Sequence, residues 1–162
     1  MAKITRIGYG QVEPNHLSAQ RTSQIYAQLP ANKDIEILEN GMFAKYDYAN
    51  NEVNFDGEGE FMLVLNEVKL YDTNRETYKD FAMKKENYLN GEMVPRLFKT
   101  NVGDIYTTNM IDSEIEVDVE TKLTPNENGI LSTYTDEEMI WKVVKVYTMA
   151  DGQPAVKVQR IK

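Results

Sequence analysis

The chain has 162 residues, with 18 Lys and Arg against 26 Asp and Glu and a formal net charge of −8. That length suits one domain with a real core, while the acidic balance argues against direct nucleic-acid binding, because phosphate contacts need clustered Lys and Arg. The absence of cysteine excludes disulfides and thiolate metal sites, and no apolar run approaches the roughly 20 residues that span a bilayer.

Residues 1–31 differ in composition from the rest of the chain. Apolar residues are sparse, Gly8 and Gly10 loosen the backbone, and Pro14 and Pro30 punctuate the segment. Basic residues are present without the apolar stretch of a secretory signal, and the lack of cysteine fits a cytoplasmic origin or a particle assembled in the cytoplasm. Leu17, Ile25 and Leu29 share a helical phase, but the segment is too polar and short to hold a helix alone. The expectation is an arm that adds little to the stability of the domain and gains order on a partner.

From Ile35 the pattern turns to strands. Ile35–Leu38 is a short apolar run, Asn40–Gly41 has the hairpin-turn signature, and Met42–Tyr48 returns as a strand. Ala49–Asn51 reads as a turn and Val53–Phe55 as a short strand. Phe61–Leu65 is continuously apolar between turn signals, as in a strand buried on both faces. Thr73-x-x-Glu76 is a capping-box pattern, and Tyr78, Phe81, Ala82 and Leu89 make a helical stripe, with helix and irregular loop both open. Val94–Lys99 and Ile105–Thr108 read as strands around a turn at Val102–Asp104, and Thr124–Gly129 as an exposed turn. Ile140–Met149 and Ala155–Ile161 form a C-terminal hairpin across Asp151–Pro154.

Between Ile111 and Glu120 the alternation is nearly perfect. Ile111, Ser113, Ile115, Val117 and Val119 fall on one side, and Asp112, Glu114, Glu116, Asp118 and Glu120 on the other. As a strand this segment has one apolar and one acidic face. The expected core comprises Phe61, Leu63, Val64, Leu65, Ile115, Val117, Val119, Trp141, Val144, Val146, Val156 and Val158. Many short strands between Gly, Asn and Pro turns indicate a mainly β chain. The expected fold is an antiparallel β-sandwich or barrel, with an arm at 1–31, one β-rich domain at 32–162 and at most one or two short helices.

No catalytic constellation stands out. Same-face carboxylates of the acidic strand lie roughly 6.7 Å apart along a line, without the unequal environments that separate an acid from a base. Asp56-Gly-Glu-Gly-Glu60 and Asp136-Glu-Glu138 lack calcium-loop spacing. His16 is the only histidine and has no partner for a metal or nucleophile site. Gly8-Tyr-Gly10 lacks the rest of a dinucleotide fingerprint, and Ser18, Ser23, Ser113 and Ser132 lie in no nucleophile elbow. The expectation is a protein without catalytic residues, metal or cofactor, one that binds or assembles. The rivals are a carbohydrate-binding sandwich with Tyr46, Tyr48 and Tyr106 as platforms and an enzyme using two acidic residues in a cleft.

Three blocks carry a resemblance: Ile35-Glu-Ile-Leu-Glu-Asn-Gly-Met-Phe43, Glu60-Phe-Met-Leu-Val-Leu-Asn-Glu67 with Leu70-Tyr-Asp72, and Val102-Gly-Asp-Ile-Tyr-Thr-Thr-Asn109. Together the layout resembles small auxiliary, head-decoration proteins of tailed bacteriophages. The resemblance implies a non-enzymatic virion protein that binds and stabilises the capsid, partnered by the major capsid protein and forming a homo-oligomer, with no nucleic acid or membrane contact. A head–tail or tail component is the neighbouring alternative. Capsid contacts are then expected from Tyr9, Gln11, His16, Leu17, Arg21, Ile25, Tyr26 and Leu29, and the acidic face is a charged surface or interface.

Overall fold

The computed structural model describes residues 1–13, 24–66, 82–135 and 139–162. Strand accounts for 41% of the described residues and helix for 4%, so the protein is mainly β. In chain order the strands are β1 (Ala2–Lys3), β2 (Val12–Glu13), β3 (Ile25–Tyr26), β4 (Ile37–Glu39), β5 (Phe43–Asp47), β6 (Glu52–Asn54), β7 (Met62–Val64) and β8 (Ala82–Lys84). After two short 3-10 turns, Lys85–Asn87 and Leu89–Gly91, come β9 (Leu97–Phe98), β10 (Ile105–Thr108), β11 (Glu116–Val117), β12 (Lys122–Pro125), β13 (Leu131–Thr133), β14 (Trp141–Thr148) and β15 (Pro154–Arg160).

Two antiparallel sheets dominate. One has six strands in the order β13-β12-β14-β15-β10-β2, the other five in the order β3-β9-β7-β5-β6. The principal core lies between them. Phe43, Leu63 and Phe98 form a cross-strand row on the five-stranded sheet and pack with Tyr106, Trp141, Val143, Val156 and Val158 of the six-stranded sheet. At its centre the Tyr106 and Trp141 rings meet edge to face, 5.0 Å between centroids.

The five-stranded sheet is buried on its other face as well. Ala44, Met62, Val64 and Leu97 alternate with the first row and form a second core with Leu38 of β4 and Met83 of β8, which pair in a two-stranded ladder. Burial on both faces is why Phe61–Leu65 is an uninterrupted apolar run. The C-terminal hairpin is also as expected, β14 and β15 pairing from Trp141↔Arg160 to Thr148↔Pro154.

Other expectations need correction. Asn40–Gly41 is a turn, closed by the Met42 amide donating to the Glu39 carbonyl at 3.2 Å, with Gly41 at φ +97°. It does not close a hairpin, because β4 pairs with β8 and β5 with β6 and β7. The turn therefore carries the chain from one layer to the next. Of the helical stripe, Ala82 lies in strand β8 and Leu89 in a 3-10 turn, while Tyr78, Phe81 and Thr73–Glu76 lie outside the described residues.

The alternating acidic run is not one strand. Glu116–Val117 alone pairs as a strand, against Ala2–Lys3, and Ile111 makes an isolated bridge to Leu131. On one side the Asp112 carboxylate accepts from the Glu114 amide at 3.0 Å and closes a turn. On the other, Asp118 to Thr121 forms a second turn, in which Thr121 Oγ1 accepts from the Asp118 amide at 2.9 Å and Glu120 adopts φ +73°. Asp side chains that bond to nearby amides compete with ladder formation, and here they win. Val119 consequently points to solvent, 50% exposed. Ile115, Phe61, Leu65, Val144 and Val146 are half-buried, and the other expected core residues are buried.

The described parts of 1–31 do not form a free arm. Ile4 is 1% exposed and belongs to the principal core, Val12 and Glu13 pair with Thr108 and Thr107, and Ala31 bridges to Val53. Ile25–Tyr26 is a strand beside Phe98 and Leu97, not part of a helix. Val12 and Ile25 sit in short strands paired to sheet edges, and Ile4 reaches the core just after β1.

Candidate functional site

One concavity among the described residues is an open cleft of about 790 Å³. It lies between the chain leading into β4, Arg6 of the N-terminal segment, the loop after β6 and the β12–β13 turn. Ile35, Ile37, Phe55 and Ile130 give it an apolar wall, and Asp34, Glu36, Asp56 and Glu127 an acidic rim. The one cation among its described lining residues is Arg6, which is already paired with Glu39.

Glu39 organises this end of the molecule. Its side chain is 9% exposed, and one oxygen, Oε2, accepts from both the Arg6 guanidinium and the Gly10 amide. The close approach requires glycine, since a Cβ on Gly10 would lie 2.5 Å from the Asn40 carbonyl oxygen and 2.5 Å from Met110 Sδ. Asn40 in turn accepts from the Asn66 amide at 2.7 Å, and Asn66 accepts from the Arg96 amide at 2.8 Å. Asn109 continues the network, accepting from the Gln11 amide at 2.8 Å and donating to Gln153 at 3.1 Å. These buried polar side chains bond to loop backbones and to one another, holding loops and layers in register.

The described residues lining the cleft include no serine, histidine or lysine, and of its acids only Glu39 is buried, held by the Arg6 guanidinium and the Gly10 amide. Among the described residues no group of three or more His, Asp or Glu converges as a metal site.

The residues expected to contact a partner are dispersed. Tyr9 is half-buried, with Lys84 Nζ 5.2 Å from its ring centroid, and Gln11 is held at Asn109. Ile25 is partly exposed in β3, Tyr26 stacks edge to face on Tyr46, and Leu29 packs on the second core. His16, Leu17 and Arg21 lie outside the described residues. Of the acidic set, Glu114, Glu116, Asp118 and Glu120 are exposed. Asp112 is half-buried, and the Glu114 amide and Ser132 hydroxyl hold its carboxyl below the ordinary range. Tyr46 and Tyr106 are 4% and 0% exposed, so neither is a platform for a sugar; burial pushes both phenols up. Tyr48, in edge contact with Tyr46, remains exposed.

Sequence reasoning missed Arg6, Gly10, Glu39 and Asn109. Glu39 was legible only as part of a turn, and nothing in its neighbours reveals that an arginine 33 positions away lies against it. Comparisons with protein families, with curated proteins and with solved structures find no match for this chain.

Proposed function

We propose that the protein is a non-enzymatic structural component of a virion, a head-decorating protein of a tailed phage that binds the major capsid protein and stabilises the shell. The sequence blocks at 35–43, 60–72 and 102–109 support the phage reading. The observation that supports binding over catalysis is the cleft itself, with an apolar wall, an acidic rim and a buried Glu39 carboxylate held by the half-exposed Arg6 and by loop backbone. Such a surface suits a protein segment with apolar and basic side chains. Because the described N-terminal residues are engaged in the sheets, attachment falls to the cleft instead of to an arm.

The test is co-sedimentation of the purified protein with shells of the capsid protein encoded beside it. Saturable binding is expected, and Phe55→Asp in the cleft wall should weaken it strongly, with circular dichroism confirming that the variant is folded because Phe55 also packs on the second core. Absence of wild-type binding at saturating concentration rejects the decoration role, and full binding by Phe55→Asp moves the contact surface elsewhere.

A further inference from the structure

A second surface lies on the six-stranded sheet, away from the cleft. Register pairing sets Lys122 opposite Lys142 and Lys145 opposite Lys157. Directly paired residues share a face, and successive residues alternate. Lys142, between buried Trp141 and Val143, therefore points away from the core. Simple alternation would turn Lys145 inward, but the register shifts between Val143 and Lys145. The extra residue restores Lys145 to the outer face, a use of bulges known from other sheets.

Tyrosines accompany the lysines. Lys145 Nζ and Lys157 Nζ lie 5.6 Å and 5.8 Å from the Tyr147 ring centroid, and Lys122 Nζ lies 5.6 Å from that of Tyr134. Of the four lysines only Lys142 has a carboxylate within ion-pair distance among the described residues, Glu120 at 3.3 Å. Like charges directly opposite one another destabilise a ladder, yet this chain of net charge −8 places four cations together on three adjacent strands.

We infer that this lysine–tyrosine face is a self-association surface, occupied by the acidic turn of a second copy of the chain, Glu116, Asp118 and Glu120. Charge complementarity carries the assignment. The Lys142–Glu120 contact puts the acidic turn at the flank of the lysine strip, so one surface holds acid beside base. A two-fold axis between such patches sets each copy's carboxylates on the other's lysines, which is the self-complementarity of an isologous dimer. The tyrosines add flat apolar area at the contact. The inference stands independently of the proposed virion role.

Sedimentation equilibrium of the full chain tests it. A dimer is expected at low salt, weakened on the order of tenfold or more at about 1 M salt, where the Debye length shrinks to roughly 3 Å. The double variant Lys145→Glu with Lys157→Glu should be monomeric, as should Glu116→Lys with Asp118→Lys. Mixing the two should restore a heterodimer, since both of its contacts then join opposite charges. If circular dichroism shows that a reversal variant does not fold, Lys145→Gln with Lys157→Gln replaces it and should also weaken the dimer. A wild-type chain that is monomeric throughout overturns the inference. So does a dimer indifferent to these substitutions, or a mixture that stays monomeric. Retention on heparin with no self-association would reassign the face to a polyanion and overturn the second copy as occupant.

Discussion

Residues 1–13 and residues 111–120 invert what their sequences advertise. The first segment is polar, glycine-containing and without period, yet it supplies Ile4 to the principal core, Arg6 to a buried carboxylate and Val12 to a sheet edge. The second has a nearly perfect two-residue alternation, yet two Asp-centred turns leave only two of its residues paired as strand. A period reports which face a residue would take if the backbone were extended. Whether it is extended depends on partners the period does not record.

The comparison breaks first at Ile4. If the N-terminal segment is part of the core, Ile4→Ala should cost ~2–5 kcal/mol, as for other fully buried aliphatic side chains. Urea denaturation measures it directly. A loss below about 0.5 kcal/mol, the range of ordinary surface substitutions, would return the segment to the status of an arm.

Arg6→Ala comes next. It leaves Glu39, 9% exposed, with the Gly10 amide but no cation. Arg6 is itself 36% exposed, so water softens the loss, and about 1–3 kcal/mol is expected, the cost of an under-satisfied buried group. Removing both charges in Arg6→Ala with Glu39→Gln should recover part of it, because the uncompensated charge goes with the carboxylate. A double variant worse than the sum of the single ones would mean that the pair does more than neutralise Glu39.

What the sequence made legible was local. Phe61–Leu65 and the hairpin of β14 and β15 are contiguous, and their partners lie close by or announce themselves by turn residues. Ala2 against Val117 is a match of two-residue strands far apart in the chain, and two residues carry no period to read. The lysine face was half legible. Lys142 alternates with buried neighbours, but the bulge after Val143 disguises Lys145 as an inward residue. Of the cleft, Ile35 and Ile37 were visible as an apolar run, whereas the Arg6–Glu39 pair depends on layers meeting in three dimensions.

A smaller effect comes from the turn that replaced the strand. The Glu114 amide and the Ser132 hydroxyl lower the Asp112 carboxyl; side-chain and backbone bonds from Asn50 lower that of Asp47. Both groups bind their proton less readily folded than unfolded. The stability they contribute is therefore complete above the ordinary carboxylate value of about 3.9 and is lost as pH falls through the lowered folded values. Melting temperature should be flat with respect to these groups near neutrality and fall below about pH 4. Ser132→Ala removes one of the two causes at Asp112 and should make that acid-side fall shallower. An unchanged slope would mean that the backbone bond alone sets the shift.

Val119 gives the smallest expected effect and the cleanest contrast with Ile4. In an unbroken strand it would share the core side with Val117 and Ile115. In the observed turn the Val119 amide donates to its neighbour Asp118 at 2.8 Å, and the side chain is 50% exposed while Val117 is fully buried. Val119→Ala should therefore change stability by no more than about 0.5 kcal/mol, whereas Val117→Ala should cost several times as much through lost burial and the space left behind. Measured side by side, the two substitutions read out the backbone between them. Similar, large losses at both would mean that the acidic run is a continuous strand after all, with its five carboxylates on one face. A large loss at Val117 with none at Val119 is the signature of a chain that turns immediately after a two-residue strand.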